Sequence, residues 1–231
     1  MIISHKHKFI FIHLHKCAGT SITKSLLPYL RQYHLFKKDI IMGCTPKHEI
    51  LSNTSRQNGS IHKHSTAVDI KNYVGNQIWN NYFIFTFVRN PWDLVLSKYY
   101  WWHKTNAQWS PDAKKTKDKI MKMNFPEFVR TIRGCYNQVM TYSLTSETKF
   151  NKSKHTSTDI EIDFIGKFEN LQTDFNSICS SLKLQQIQLI RANPSFELRK
   201  GKHYRDFYDD ESKEIVANVY KKDIELFDYS F

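Results

Sequence analysis

Paired cysteines and long apolar runs are both missing from this sequence of 231 residues. The four cysteines stand far apart, without disulfide or metal-binding spacing, at Cys17, Cys44, Cys135 and Cys179. This pattern favours reduced thiols over a disulfide framework or a zinc site. No apolar stretch approaches the roughly 20 residues of a membrane helix, and the first predicted strand begins too early to leave room for a signal peptide. We therefore expect a cytoplasmic protein with no membrane span.

Basic residues exceed acidic residues by a wide margin. The sequence holds 34 Lys and Arg against 22 Asp and Glu, a formal net charge of +12. Such an excess favours an anionic partner, such as a nucleotide, an acidic glycan, nucleic acid or an acidic membrane, and charge alone does not choose among them. The length, without repeats or low-complexity tracts, predicts a single domain over residues 1–231. Apolar strands alternating with amphipathic helices predict an α/β fold, a P-loop-like domain with a central, mostly parallel sheet flanked by helices.

A buried strand, a tight turn and a helix follow one another near the start of the chain. Residues 9–14 are almost continuously apolar, residues 16–21 are mostly small, and an amphipathic run begins at Ile22. This geometry turns backbone N–H groups toward an anion and adds the positive end of a helix, so it suits a phosphate. The nucleotide-triphosphate loop differs, because it needs two glycines and a lysine directly before Ser or Thr. Residues 16–21 lack this arrangement of glycines and lysine, which argues against a P-loop kinase.

A histidine stands just before the next predicted helix. Ser65 or Thr66 can cap this helix, which is expected to close at Gly75. His64 then occupies a position from which its side chain can face a cleft. Imidazole, with an ordinary pKa near 6.5, can take a proton from a hydroxyl at neutral pH, and His62 could face the same way. The alternatives are a surface or capping histidine, or a metal site built from His-x-His pairs, which lack clustered carboxylate or cysteine partners.

A second buried strand, residues 82–88, runs directly into Arg89. Pro91 suits the first turn of a helix and Asp93 complements its positive end, with Ser97 further along the same helix. A guanidinium and a hydroxyl at the carboxyl end of a strand can together hold a phosphate. The alternative for Arg89 is an ion pair with Asp93.

Together these motifs resemble those of sulfotransferases that use 3′-phosphoadenosine 5′-phosphosulfate (PAPS), of the carbohydrate and bacterial types. The string His-Lys-Cys-Ala-Gly-Thr-Ser is similar to the family's phosphosulfate loop, whose usual form is Lys-Thr-Gly-Gly-Thr-Ser. The Arg89 and Ser97 pair is similar to the family's second fingerprint, and Lys-His-Ser-Thr-Ala around His64 is similar to the form in bacterial members.

The resemblance implies transfer of a sulfuryl group from PAPS to an acceptor hydroxyl, on a carbohydrate by preference, without a metal. It implies that His64 is the general base and that Arg89 and Ser97 hold the 3′-phosphate. The residues implied to surround the 5′-phosphate and the bridging oxygen are Lys16, Cys17, Ala18, Gly19, Thr20 and Ser21. The expected partners are the nucleotide co-substrate and a glycan hydroxyl, with no specific nucleic acid. The alternatives are a P-loop kinase-like phosphotransferase and a non-catalytic polyanion-binding protein.

Two lysine-rich stretches lie outside these motifs. Residues 104–123 read as a solvated insertion rather than a dedicated nucleic-acid patch. Residues 199–205 form a basic loop, which in the resembled family closes over the nucleotide on its 3′-phosphate side; a plain solvated loop is the alternative. A final helix is expected from Asp209 onward, with Leu226 facing inward.

Overall fold

Two units, each discontinuous in sequence, make up the chain. The computed structural model describes residues 1–30, 48–50, 61–132, 160–190 and 198–231. The first unit comprises Met1–Val88 and Val139–Ala192, and the second comprises Arg89–Gln138 and Asn193–Phe231. The expectation of one domain over residues 1–231 stays a prediction.

The first unit is built on a five-stranded sheet. Its strands are β1 (Ile2–Ser4), β2 (Phe9–Ile12), β3 (His48–Ile50), β4 (Phe83–Val88) and β5 (Phe164–Lys167). Their order is β3-β1-β2-β4-β5. Strand β4 pairs in parallel with β2 and β5, whereas β1 is antiparallel to both of its neighbours. Four of these five strands therefore run in one direction, in agreement with the predicted mostly parallel sheet. The antiparallel strand β1 was not predicted from the sequence.

Aromatic packing holds the central strands together. All four residues of β2 are buried, and its Phe9 and Phe11 rings lie 5.7 and 5.1 Å from the ring of Phe85 on β4. The Thr86 hydroxyl donates to the carbonyl of Ile12 at 2.9 Å. Because Ile12 and Thr86 are also register partners, the carboxyl ends of β2 and β4 lie side by side.

Helices occur in both units. Those that lie fully within the described residues are α1 (Gly19–Leu30), α2 (Ala67–Asn81), α3 (Pro91–Lys104), α4 (Pro111–Ile120), α5 (Phe125–Arg130), α6 (Leu171–Ser181), α7 (Asp210–Val219) and α8 (Lys221–Phe227). Short 3₁₀ turns cover Phe168–Asn170 and Tyr204–Phe207. Within the described ranges, no helix combines the length and the apolar character needed to cross a bilayer.

Local signals set the helix boundaries in the first unit. Helix α1 begins at Gly19, three residues before the predicted start, and it continues through Pro28. Thr66 caps α2 in a capping box with Asp69, as one of the two predicted caps. Gly75, at φ 79°, interrupts α2 with a kink where the sequence predicted its end.

One expectation for the second unit is refined and another is wrong. The lysine-rich stretch is largely solvent-exposed, and it also contains helix α4, which Ser110 caps and which buries Ala113 and Ile120. The final segment is two helices that meet at Tyr220, and Leu226 is 51% exposed rather than inward-facing. The break turns α8, so that Phe227 takes the buried position instead.

Candidate active site

The turn between β2 and α1 is shaped by two residues in the left-handed region. Lys16 has φ 63° and Ala18 has φ 59°, although neither is glycine. Such alternation points successive backbone N–H groups into one concavity that suits an anion. The first turn of α1 carries no acidic residue, and its hydrogen-bond ladder begins only with Ile22 N donating to the Ala18 carbonyl at 3.1 Å. The two left-handed residues and a first helical turn without acidic residues therefore suit the binding of an anion.

Glycine at position 19 is required by close packing. A Cβ added there would lie 2.1 Å from His13 Nε2, far inside van der Waals contact. His13 is only 4% exposed, its Nδ1 lacks a hydrogen-bond partner, and burial holds its pKa well below the ordinary value. A neutral, buried imidazole thus forms the floor of the turn on the side of Gly19.

Cys17, the central residue of the turn, is buried, and its thiol donates to the His15 carbonyl at 3.4 Å. Cys17 and Cys179 form no disulfide, whereas Cys44 and Cys135 lie outside the described residues. The expectation of reduced thiols stays a prediction for all four positions.

His64 lies against this turn, within the same unit. Its Nδ1 is 2.9 Å from the His13 carbonyl oxygen, and its ring stacks on the His15 ring with a centroid distance of 3.5 Å. A carbonyl can only accept a hydrogen bond, so Nδ1 carries the ring proton and Nε2 keeps its lone pair. His64 is therefore held beside the residue that precedes Lys16, in the tautomer that a base at Nε2 requires.

Electrostatics keep this imidazole neutral. Burial, followed by electrostatic repulsion from His15, lowers the pKa of His64 to about 3, while the hydrogen bond to the His13 backbone opposes the shift. His64 is therefore uncharged at neutral pH. A pKa of about 3 makes it a weak base in the ligand-free protein, and an anion bound close to the ring would raise that pKa.

His62 has a different position from the one considered in the sequence. Its Nδ1 accepts from the backbone N–H of His64 at 3.1 Å, and its own N–H donates to the Ser65 hydroxyl at 2.8 Å. His62 therefore contacts the backbone that carries His64.

In the described part of the chain, no three His, Cys, Asp or Glu side chains are grouped so that they could hold a metal ion.

The second unit holds a buried cluster of opposite charges. Asp93, in the first turn of α3, accepts from Arg89 Nε and Nη2, both at 2.7 Å, and from Arg199 Nη1 at 2.5 Å. The ion pair of Arg89 with Asp93, which the sequence left as the alternative to phosphate binding, is therefore present. Ser97 lies one helical turn beyond Asp93 and is 3% exposed.

Arg199 is the residue that the sequence reading undervalued. Its neighbours Lys200, Gly201 and Lys202 are exposed, as a solvated loop would be, yet Arg199 is only 8% exposed. Its Nε and Nη2 are buried without a hydrogen-bond partner. No local pattern separates Arg199 from the other basic residues of the loop, so only the fold could identify it.

The structure thus groups the sequence-predicted residues in two sets. The turn of residues 16–21 and His64 belong to the first unit, where stacking of His64 on His15 joins them. Arg89 and Ser97 belong to the second unit, where Asp93 and Arg199 accompany them.

Exposed aromatic residues mark the end of α3. Tyr99 packs on Phe125 and Phe128 and donates its hydroxyl proton to the Met123 carbonyl at 3.0 Å. Trp101 and Trp109, by contrast, are 38% and 60% exposed. The aromatic residues on and just after α3 therefore divide between core packing and the surface.

Comparison with known proteins gives a family match over nearly the whole chain. The family model described as "Sulfotransferase family" matches residues 1–230. An uncharacterized protein of Archaeoglobus fulgidus (strain ATCC 49558) is 28% identical over 124 residues, which cover 54% of this chain and 87% of that protein. No solved structure matches the chain.

Proposed function

Because the chain belongs to the sulfotransferase family, we propose that it transfers a sulfuryl group from PAPS to an acceptor hydroxyl. The observation that carries this proposal is the pairing of a phosphate-binding turn with a neutral, oriented histidine. Lys16 and Ala18 curve the backbone toward an anion, and His64 keeps an unprotonated Nε2 beside the same turn.

The turn suits the 5′ end of the nucleotide. Backbone N–H groups of residues 17–21 and the hydroxyls of Thr20 and Ser21 bind the 5′-phosphate, in the manner of other helix-start anion sites. The Lys16 ammonium contacts the oxygen that bridges this phosphate and the sulfur. As the bridging bond breaks, Lys16 neutralises the charge that develops on the departing nucleotide.

The second set of residues suits the 3′ end. Arg89 and Ser97 bind the 3′-phosphate by a charge-assisted and a neutral hydrogen bond. Arg199 adds a further guanidinium from the basic loop, and its two buried nitrogens without partners support this role. In this proposal these contacts anchor the 3′ end of the nucleotide.

His64 completes the reaction. Its Nε2 takes the hydroxyl proton while the acceptor oxygen forms a bond to sulfur and the bond from sulfur to the 5′-phosphate oxygen breaks. The products are a sulfate ester, adenosine 3′,5′-bisphosphate and a proton held on His64. Because basic residues neutralise the phosphates, no metal is needed and we expect full activity in excess chelator. We also propose that the protein is cytoplasmic and that its thiols are reduced.

The acceptor we favour is a carbohydrate hydroxyl, on the sequence resemblance to carbohydrate sulfotransferases. The test is an acceptor panel with PAPS carrying radiolabelled sulfur. Glycans, lipid alcohols, phenols and tyrosine peptides form its four arms. Label recovered on a glycan supports the proposal, label recovered on another arm reassigns the acceptor, and no transfer in any arm contradicts enzymatic sulfation.

A nucleotide comparison separates the proposal from its two rivals. A sulfotransferase should gain thermal stability from adenosine 3′,5′-bisphosphate, because a ligand that binds only the folded state raises the melting temperature. Stabilisation by ATP with magnesium alone would favour a kinase. Steeply salt-dependent binding of polyanions, without nucleotide stabilisation, would favour a non-catalytic polyanion-binding protein.

A further inference from the structure

One carboxylate serves two buried guanidinium groups in the second unit. Asp93 directs Oδ2 to Arg89 and Oδ1 to Arg199, and the three residues are 8%, 4% and 8% exposed respectively. Asp93 bridges two residues that are distant from each other in sequence, because Arg89 lies four positions before it and Arg199 lies 106 positions after it. The bridge fixes the direction of both guanidinium planes at once.

Asp93 keeps its charge although it is buried between two guanidinium groups. Burial alone would raise the pKa of Asp93, but Arg89 and Arg199 hold it below its usual range, so the carboxylate is ionised. Buried donors without an acceptor are costly. Arg199 Nε and Nη2 are buried without a hydrogen-bond partner, so both can donate to an anion.

The position of Asp93 on α3 links the cluster to Ser97. The two residues are four apart on one helix, so they share a face, and both are buried. A tetrahedral phosphate offers several acceptor oxygens, which suits two guanidinium forks and one hydroxyl. The planar Asp93 carboxylate cannot satisfy all of these donors. If a ligand replaced Asp93, both arginines would lose the bridge that holds them.

We infer that Asp93 is a positioning residue, which holds Arg89 and Arg199 in the orientation that binds the 3′-phosphate. This inference rests on the proposed function. Asp93 does not compete with the phosphate for the arginines but keeps them aligned for it. Specificity for a nucleotide that carries a 3′-phosphate then depends on a carboxylate that does not touch the nucleotide.

The test compares two nucleotides by titration calorimetry. Adenosine 3′,5′-bisphosphate and AMP differ only in the 3′-phosphate, so the ratio of their Kd values isolates the contribution of that group. In Asp93→Asn the amide retains the shape but loses the charge and one acceptor oxygen. We expect the ratio to fall at least tenfold, with the Kd for AMP unchanged.

A matched control is present in the same unit. Glu211 forms an exposed ion pair with Arg130 at 2.7 Å, so Glu211→Gln removes the same charge from an arginine pair at the surface. This variant should keep the wild-type Kd ratio. If Asp93→Asn unfolds, Asp93→Glu takes its place, because it keeps the charge and both arginines but displaces the carboxylate that bridges them. It should show the same loss.

The possible results distinguish a failure of the positioning role of Asp93 from a failure of the proposed function. If the wild-type protein binds both nucleotides equally, the proposed function fails. If the wild-type protein prefers the bisphosphate and the Asp93 variants keep that preference, the positioning role is wrong. Tighter binding of the bisphosphate by Asp93→Asn would also overturn it, because Asp93 would then be a competitor for the arginines.

Discussion

The ionisation of His64 gives the sharpest prediction, and His15 is the residue to change. The His15 ring covers one face of His64 at 3.5 Å and contributes to the low pKa of about 3. Relative to an ordinary histidine near 6.5, this pKa corresponds to roughly 5 kcal/mol against protonation. Burial is the larger cause and charge the smaller.

Two variants separate these causes. His15→Phe retains a stacked ring but removes the electrostatic repulsion, so it should raise the pKa of His64. His15→Ala also opens the His64 ring to water and should raise this pKa further. The pKa increase should be larger for His15→Ala than for His15→Phe, because burial lowers the pKa of His64 more than charge does.

Nuclear magnetic resonance of ¹⁵N-labelled histidine measures both the pKa and the tautomer. In the wild-type protein the His64 signals should stay neutral from pH 8 to pH 5, with the proton on Nδ1. The His15→Ala signals should titrate within this window. A wild-type midpoint near 6.5, or a proton on Nε2, would refute the reasoning about burial and about the hydrogen bond to His13.

Three further predictions concern stability. Gly19→Ala should destabilise the fold by about 1–3 kcal/mol in urea unfolding, because its Cβ overlaps the buried His13 ring; an unchanged midpoint would contradict the packing. Thr66→Ala should cost about 1 kcal/mol by removing the cap that accepts from Asp69 N at 3.1 Å, whereas a neutral result would mean that the cap is not formed. The unfolded His64 takes up a proton near pH 6.5 but the folded one only near pH 3, so stability is lost as pH falls between these values. From pH 7 to pH 5 this amounts to about 2 kcal/mol, and His64→Gln should show a loss smaller by that amount.

Local sequence signals predicted much of the fold. The apolar run of β2, the cap at Thr66 and the proline at position 91 each act within a few residues of the element they define. The turn after β2 was predictable for the same reason, since small residues between a buried strand and a helix leave few alternatives.

Contacts between distant segments were not predictable. Stacking of His64 on His15 joins residues 49 positions apart, and the ion pair of Asp93 with Arg199 spans 106 positions. The partners of these residues depend on how the sheet and the helices pack, which periodicity does not encode. Helix α4 was missed because its lysines masked an apolar face of only two buried residues.

The central claim is sulfuryl transfer at the turn that contains Lys16. The most direct measurement is the initial rate of radiolabelled sulfur transfer from PAPS, for Lys16→Ala and for Lys24→Ala as a matched control. Lys24 is an exposed residue of α1. We expect a loss of at least a hundredfold for Lys16→Ala, equal to about 3 kcal/mol of transition-state stabilisation, and a rate near wild type for Lys24→Ala. Equal rates for the two variants would contradict the claim.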